Sequence, residues 1–437
     1  MVNQGEYTTS LDRVLSAFAI VQPGEGPTAF LLMMNLFILM TAYYIVKPVR
    51  ESLILGGSGP EIKSYAGAAG ALAFLLLVPI YGKLASHLNR VRLINSVTGF
   101  FASNLVIFYV LGQLKVSFGI LFFFWASLFN PMLVAQFWAF ANDIYSQEQG
   151  KRLFAIVGIG SSIGAIFGAA VASRLFVSVG SYVMMLVTAV LLAVCMLLTN
   201  WIHRREGDSV RIRRFEEPLK PVGAFQVVLR HRYLFLIAML ILLSNIVNTT
   251  GEFILGKSVY EHARTVAALS GSERMSLQDY IGKFYADFYF RVNLLGVGLQ
   301  MFAVSRIMKR VGIGPSLFLL PMVSLGGYTL LSFAPILTLI RDTKIAENGT
   351  DYSIQNTACH ALFLRTSREA KYKGKTAIDS FFWRAGDALS ALIVYAGTSL
   401  AFDLRDFART NAILTGAWLC VAAGIVWHRL SQAELEG

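Results

Sequence analysis

Charge is scarce in this chain. Only 15% of its 437 residues are Asp, Glu, Lys or Arg, whereas a soluble protein carries about a quarter. Cysteine is scarcer still: Cys195, Cys359 and Cys420 lie far apart, and no pair has the spacing of a metal site or a redox motif. The six histidines are scattered as well. No phosphate-cradling glycine loop, dinucleotide fingerprint or nucleophile elbow occurs. These absences leave no constellation for enzyme chemistry, and neither a metal nor a cofactor is expected. The N-terminus also lacks a basic stretch followed by a short apolar core and a small-residue cleavage site, so the first apolar run is expected to stay as a permanent helix.

Apolar residues fill the space that charge leaves. The chain is 55% hydrophobic, with a mean hydropathy of +0.58. A membrane helix needs roughly 20 mostly apolar residues. Six stretches qualify in the first half, at 28–47, 64–85, 93–113, 117–141, 153–175 and 180–201. Six more follow at 233–256, 287–307, 313–333, 335–363, 376–400 and 410–428. The expected fold class is therefore an all-α membrane protein, with twelve transmembrane helices in two six-helix bundles. The expected divisions are a cytoplasmic N-terminal segment (1–27), a first bundle (28–202), a basic cytoplasmic linker (203–232) and a second bundle (233–437). Residues 11–20 have the pattern of a short amphipathic helix lying at the membrane interface. Residues 257–286 are expected as an external insertion.

The net charge of +12 fits the Lys/Arg bias of cytoplasmic loops. The linker alone carries eight Lys/Arg between His203 and Arg232, and the loop before the eleventh span is also basic. Both termini are thus expected in the cytoplasm, and the short loops point to a bacterial inner membrane. No basic stripe interleaved with aromatics suggests nucleic acid. The expected partners are membrane lipids and a small molecule, with the protein a monomer.

Three polar constellations break the apolar background. The first closes span one with Tyr43, Tyr44, Lys47, Arg50 and Glu51. Pro48 is expected to end or kink the helix, since it lacks an N–H and clashes one turn back. Positions 43, 47 and 50 share a helix face. Charges at membrane depth usually face a cavity and mark a pathway; the alternative is that Lys47 and Arg50 snorkel to the surface beside Glu51. The second is span ten, where Lys344, Glu347, Asn348, Asp351 and Gln355 form one stripe and Arg341 precedes Lys344. A helix this polar must face water, substrate or protein, unless the stretch is an external loop. The third is Lys371, Lys373, Lys375 and Asp379, with Arg384 and Asp387 further on. Asp379 with Arg384, or with a lysine of another helix, could gate the inner side; a solvated loop with one structural ion pair is the alternative. Span five adds Gly160, Gly164 and Gly168, a small-residue stripe for close helix packing or for a sliding contact.

Six spans, a basic connector and six spans is the layout of the major facilitator superfamily, whose halves are related by an axis along the membrane normal. The loop Gly82–Leu93, with Arg90 and Arg92, resembles that superfamily's loop signature, although Ser86 and Asn89 replace its usual Asp and Gly. Four blocks are similar to a narrower group, the ATP/ADP translocases of plastids and intracellular bacteria. They are Tyr43–Ile54, Phe137–Asp143 with Lys151 and Arg152, the polar Asp351-Tyr-Ser-Ile-Gln of span ten, and Lys371–Asp379. The resemblance implies exchange of nucleotides, typically ATP against ADP. It matches Arg50 to the family's cation at the end of span one, and Lys371, Lys373 and Lys375 to its basic motif. It also shows departures: Ala126 stands about where the family has an acid in span four. Asn248 stands near its span-seven acid, with Glu252 one turn later. The chain looks like a divergent branch.

The candidate substrate-binding set is Tyr43, Tyr44, Lys47, Arg50, Trp138, Asn142, Arg341 and Lys344. Arginine favours a phosphate bidentately, and Tyr43, Tyr44 and Trp138 could stack on a ring. Coupling or gating is assigned to Glu51, Glu347, Asp351, Asp379 and Arg384. The expected activity is transport of an anionic metabolite, most simply a nucleotide, by alternating access. An exporter or flippase of a lipid-like or other amphipathic anion, with or without proton coupling, is the alternative within the fold. A non-transporting sensor is the alternative outside it, since fold never fixes function.

Overall fold

The structure, a computed structural model of the chain, describes residues 10–16, 19–87, 90–206, 228–270, 276–363, 375 and 378–436. Among these residues every element is helical and no strand occurs. Eight helices are long and apolar enough to cross a membrane.

The chain opens with a short helix, α1 (Ser10–Leu15), and then α2 (Gly26–His87). At 62 residues α2 would measure roughly 90 Å if straight, about three times the hydrocarbon thickness of a bilayer. It is broken at Gly59, whose φ of 86° and ψ of 172° are non-helical. Only glycine enters that region at little cost, and Pro60 follows it. The break therefore falls at Gly59 and not at Pro48, through which the helix continues. Transmembrane helices tolerate an internal proline because neighbouring groups re-satisfy the freed carbonyl. The same device recurs in α5 (Gln147–Glu206), broken at Gly180 (φ 76°, ψ 167°). Between them lie α3 (Arg90–Gln113) and α4 (Gly119–Ile144).

The later elements are α6 (Arg232–Ser270), α7 (Leu277–Leu299), α8 (Ser305–Arg310), α9 (Ile313–Ser316) and α10 (Leu319–Phe333). They are followed by α11 (Leu337–Thr350), α12 (Asn356–Leu362), α13 (Trp383–Ser399) and α14 (Leu404–Glu436). A π turn, Asp351–Gln355, joins α11 to α12, so span ten is a helix and not a loop. Much of the expected insertion at 257–286 is helical too, because α6 runs on to Ser270 and α7 starts at Leu277.

The chain divides into two compact units. One comprises Met1–Gly57, Phe74–Phe215 and Met275–Phe290; the other comprises Ser58–Ala73, Glu216–Arg274 and Arg291–Gly437. In the first unit, Gly160, Gly164 and Gly168 of α5 meet the backbone of α2. A Cβ on these glycines would stand 2.2, 2.3 and 2.5 Å from the carbonyl oxygens of Met33, Phe37 and Thr41. Lipid tails give helices no hydrophobic reason to associate, so such close backbone approach and interhelical hydrogen bonds hold them. Asn35 Nδ2 donates to Thr199 Oγ1 (2.9 Å) and Asn95 Nδ2 to Asn200 Oδ1 (2.8 Å). An aromatic cluster of Phe101, Phe108, Phe118, Phe122, Trp125 and Phe129 fills the space between α3 and α4.

The N-terminal segment is tied to the same unit. Asp12 is buried and accepts the backbone N–H groups of Gly24 (3.1 Å) and Gly26 (2.7 Å), which satisfies donors at the start of α2. Arg152 grips Glu25 bidentately, with both contacts at 2.9 Å. Val14 and Ile20 stay exposed. In the second unit, Asn411 donates to the Val247 carbonyl (3.0 Å), and the Thr250 and Ser390 hydroxyls share a hydrogen bond of 2.9 Å.

Candidate functional site

Two buried cation clusters stand out, one in each unit. In the first, the α2 helix carries Tyr43, Tyr44, Lys47, Arg50 and Glu51 toward the interior. Lys47 is only 8% exposed. Its ammonium lies 4.1 Å from the Tyr289 ring centroid, 5.2 Å from that of Tyr44 and 5.6 Å from that of Tyr43. These distances are within cation–π range. Lys47 therefore sits in an aromatic cage and does not snorkel. Arg50 pairs with the fully buried Glu51 and lies 5.1 Å from the Phe123 ring centroid. Tyr289 Oη donates to Glu51 Oε1 at 3.5 Å, so the cage and the ion pair share a member. Tyr43 stacks on Phe129 and meets Tyr44 edge-on.

The second cluster is centred on Lys344 of α11, which is 1% exposed. Its ammonium donates to Glu347 Oε2 (2.8 Å) and Asn248 Oδ1 (2.7 Å), and lies 3.7 Å from Glu252 Oε1. Glu347 also accepts from Tyr328 Oη (2.8 Å) and Ser324 Oγ (3.3 Å). Asn348 Nδ2 donates to Glu252 at 3.0 Å. A buried ammonium without partners would be prohibitive; here two carboxylates and an amide compensate it. The close seat needs Gly251, where a Cβ would stand 1.9 Å from Tyr328 Oη and 3.2 Å from Lys344 Nζ.

The remaining candidates are placed differently. Arg341 pairs with its neighbour Asp342 (2.9 Å) and not with the Lys344 cluster. Asp351 begins the π turn, a local unwinding that often marks functional positions. Trp138 is half-buried against Phe137 and Phe154, and Asn142 is exposed. Asp379 pairs with Lys375 four residues earlier, while Arg384 pairs with Asp387 at 3.5 Å. Arg384 and Asp387, three residues apart, share a helix face; the ion-pair partner of Asp379 is the nearby Lys375, where the sequence offered Arg384 or a lysine of another helix. Asp387 also accepts from Asn245 (2.8 Å) and Thr249 (3.1 Å). Lys371 and Lys373 lie outside the described residues, as do the side chains of Gly82–Arg90.

Sequence reasoning missed Tyr289, Tyr328 and Ser324. Each is an unremarkable residue of an apolar helix until long-range packing sets it against a charge. Asn248 and Glu252 were singled out as departures; they turn out to be the partners of Lys344. Gln355 is 3% exposed, and neither end of its amide has a hydrogen-bond partner among the described residues.

A family model, Major Facilitator Superfamily, matches residues 27–345. The chain belongs to that superfamily. It is a transporter and an integral membrane protein, and its relatives within the superfamily are transporters and not enzymes. It is 25% identical to ADP,ATP carrier protein 1 of Chlamydia pneumoniae over an alignment covering 90% of each chain. It is 22% identical to ADP,ATP carrier protein 3 of Rickettsia prowazekii, covering 84% of this chain and 86% of the relative. The resemblance read from four short blocks thus extends over most of the chain, at the distance of a divergent relative. Among solved structures, the nucleoside transporter NupG matches 91% of this chain and 98% of its own with a TM-score of 0.62 at 12% identity. A bacterial homologue of the human lysosomal transporter Spinster matches 92% and 97% with a TM-score of 0.57 at 15% identity. Identities this low speak for the fold alone.

Proposed function

We propose that this superfamily member carries an anionic metabolite by alternating access, and that the metabolite is a nucleotide exchanged as ATP against ADP. The observation that carries this reading is the pair of sealed cations, Lys47 and Lys344, each buried on a helix and each held by specific partners. Ions at that depth are costly and are kept for pathways. Arg50 adds a planar fork suited to phosphate, and Tyr43, Tyr44 and Tyr289 add ring faces beside it. Glu347 and Glu252 occupy Lys344 as an anionic substrate would, so a phosphate arriving there competes with internal carboxylates. An empty carrier keeps its cations compensated, and a charged substrate exchanges for that compensation. The ADP,ATP carriers named above support the nucleotide as substrate class.

The helical stretches on either side of Gly59 and Gly180, taken separately, together with the polar α11–α12 span and α13, support twelve crossings in two sets of six. The positive linker and the basic loop before α13 support cytoplasmic termini and an inner-membrane setting.

The test is uptake of labelled ATP into proteoliposomes preloaded with ADP. Arg50→Ala is expected to abolish exchange in protein that still purifies folded, with a melting temperature lowered because the buried Glu51 loses that cation. Normal exchange by that variant would remove Arg50 from the anion site. In parallel, ATP or ADP is expected to raise the melting temperature by mass action. Indifference to every nucleotide, with a response to another anion, would keep the carrier and retire the nucleotide.

A further inference from the structure

Helix α4 contains a polar feature that neither cation cluster uses. Gln136 is 2% exposed, and neither its amide oxygen nor its amide nitrogen has a hydrogen-bond partner among the described residues. Buried polar atoms are nearly always satisfied, by protein or by ordered water. The Gln136 side chain lines a cavity inside the first unit, with Asn35 of α2, Thr98 of α3 and Thr199 of α5 as its other polar walls. Leu133, Phe137 and Phe140 make up part of its apolar side.

The cavity fixes the size and chemistry of what it can hold. About 20 Å³ is open to the centre of a water-sized molecule, and a single water needs about 10–15 Å³. A metabolite is far too large. Among the described residues no charged side chain lines the space, so a bare cation or anion would be uncompensated. The lining offers both donors and acceptors: the Gln136 amide has each, and Asn35 already spends its Nδ2 on Thr199 Oγ1, which in turn donates to the Cys195 carbonyl. A ligand must therefore both donate and accept.

We propose that this cavity is a site for one internal water, held by Gln136 and the Asn35, Thr98 and Thr199 rim. The water joins α4 to α2, α3 and α5 where direct hydrogen bonds do not. Its position along α4 gives it a mechanical role. Pro131, five residues earlier, sits inside the helix and cannot donate to the carbonyl four residues before it. The middle of α4 thus loses one backbone bond at Pro131 and relies on an exchangeable bond at Gln136. That combination makes the centre of α4 a hydrated joint between α2 and α5, whose backbones are otherwise clamped at Gly160, Gly164 and Gly168.

The experiment is brief X-ray irradiation of the purified full-length protein in detergent, followed by mass spectrometry. Radiolysis turns bound water into hydroxyl radicals that oxidise the nearest side chains. Phe137 and Phe140 line the cavity and are buried from bulk solvent, so oxidation at both in the wild type is expected. It should fall to background in Gln136→Leu, which keeps the bulk and removes the anchor. The melting temperature gives the second readout. In a hydrated cavity, Gln136→Leu strands the Asn35 and Thr98 rim and lowers it; in a dry one, the change removes an unsatisfied amide and raises it. Background oxidation of Phe137 and Phe140 in the wild type, or a raised melting temperature in Gln136→Leu, overturns the proposal.

Discussion

Removing Lys344 tests the charge bookkeeping of the second unit most directly. Glu347 is 2% exposed, and Lys344 at 2.8 Å is its cationic partner. Lys344→Met keeps much of the side-chain volume but leaves that carboxylate buried with the Tyr328 and Ser324 hydroxyls as its partners among the described residues. Breaking a buried pair from one side costs about 3–5 kcal/mol, because the survivor has no compensation. Glu347→Gln should cost less. Its amide oxygen still accepts from Tyr328, and Lys344 keeps Asn248 and Glu252. Lys344→Met with Glu347→Met removes both buried charges and should recover most of the loss, since an apolar pair of similar volume is often neutral. The assay is the unfolding transition in detergent for the wild type, both single variants and the double variant, closed as a mutant cycle. The expected order of stability is wild type, then the double variant and Glu347→Gln, with Lys344→Met last. A Lys344→Met protein that unfolds at the wild-type temperature would refute the reasoning, as would a double variant less stable than Lys344→Met.

Other consequences are checked separately. Gly164→Ala forces a Cβ to within 2.3 Å of the Phe37 carbonyl oxygen, whereas a Cβ at Gly158 meets nothing within 4 Å. Gly164→Ala should lower the melting temperature sharply, and Gly158→Ala should leave it unchanged or raise it by the helix preference of alanine, about 1 kcal/mol. Tyr289→Phe keeps the ring 4.1 Å from Lys47 and should retain transport, while Tyr289→Leu removes a cation–π contact of about 0.5–2 kcal/mol and should weaken substrate binding severalfold. Burial works to raise the Glu25 carboxyl pKa, but the Arg152 hydrogen bonds, the Gln22 N–H and the Gln149 amide outweigh it and hold the group below its ordinary range. Its contribution to stability is therefore complete above the unfolded value of about 4.3 and is lost as pH falls through the lower folded value. Melting curves at acidic pH should show a smaller loss in Glu25→Gln than in the wild type; equal losses would remove Glu25 from the acid response.

The α-helical membrane character of this chain follows from composition alone, because a bilayer offers no water to unpaired backbone groups and long apolar runs can satisfy them only as helices. The buried polar stripe of span ten and the cluster at Tyr43–Glu51 were also legible, since charge inside an apolar run is conspicuous. Close packing at Gly160, Gly164 and Gly168 could be read from four-residue spacing. Spacing brackets the helix breaks, since the apolar runs 28–47 and 64–85 flank Gly59 and the runs 153–175 and 180–201 meet at Gly180, but the residue itself could not be picked by pattern: the helix runs on through Pro48 and turns at Gly59, where a positive φ is available without a Cβ. Nor could the charge partners. Lys344 finds Glu347 on its own helix but also Asn248 and Glu252, 96 and 92 residues earlier in the chain. Lys47 finds Tyr289 across even more sequence. One-dimensional spacing determines which residues share a helix face. Only packing decides what stands opposite that face, and therefore whether a buried cation is open to a phosphate or already held by a carboxylate.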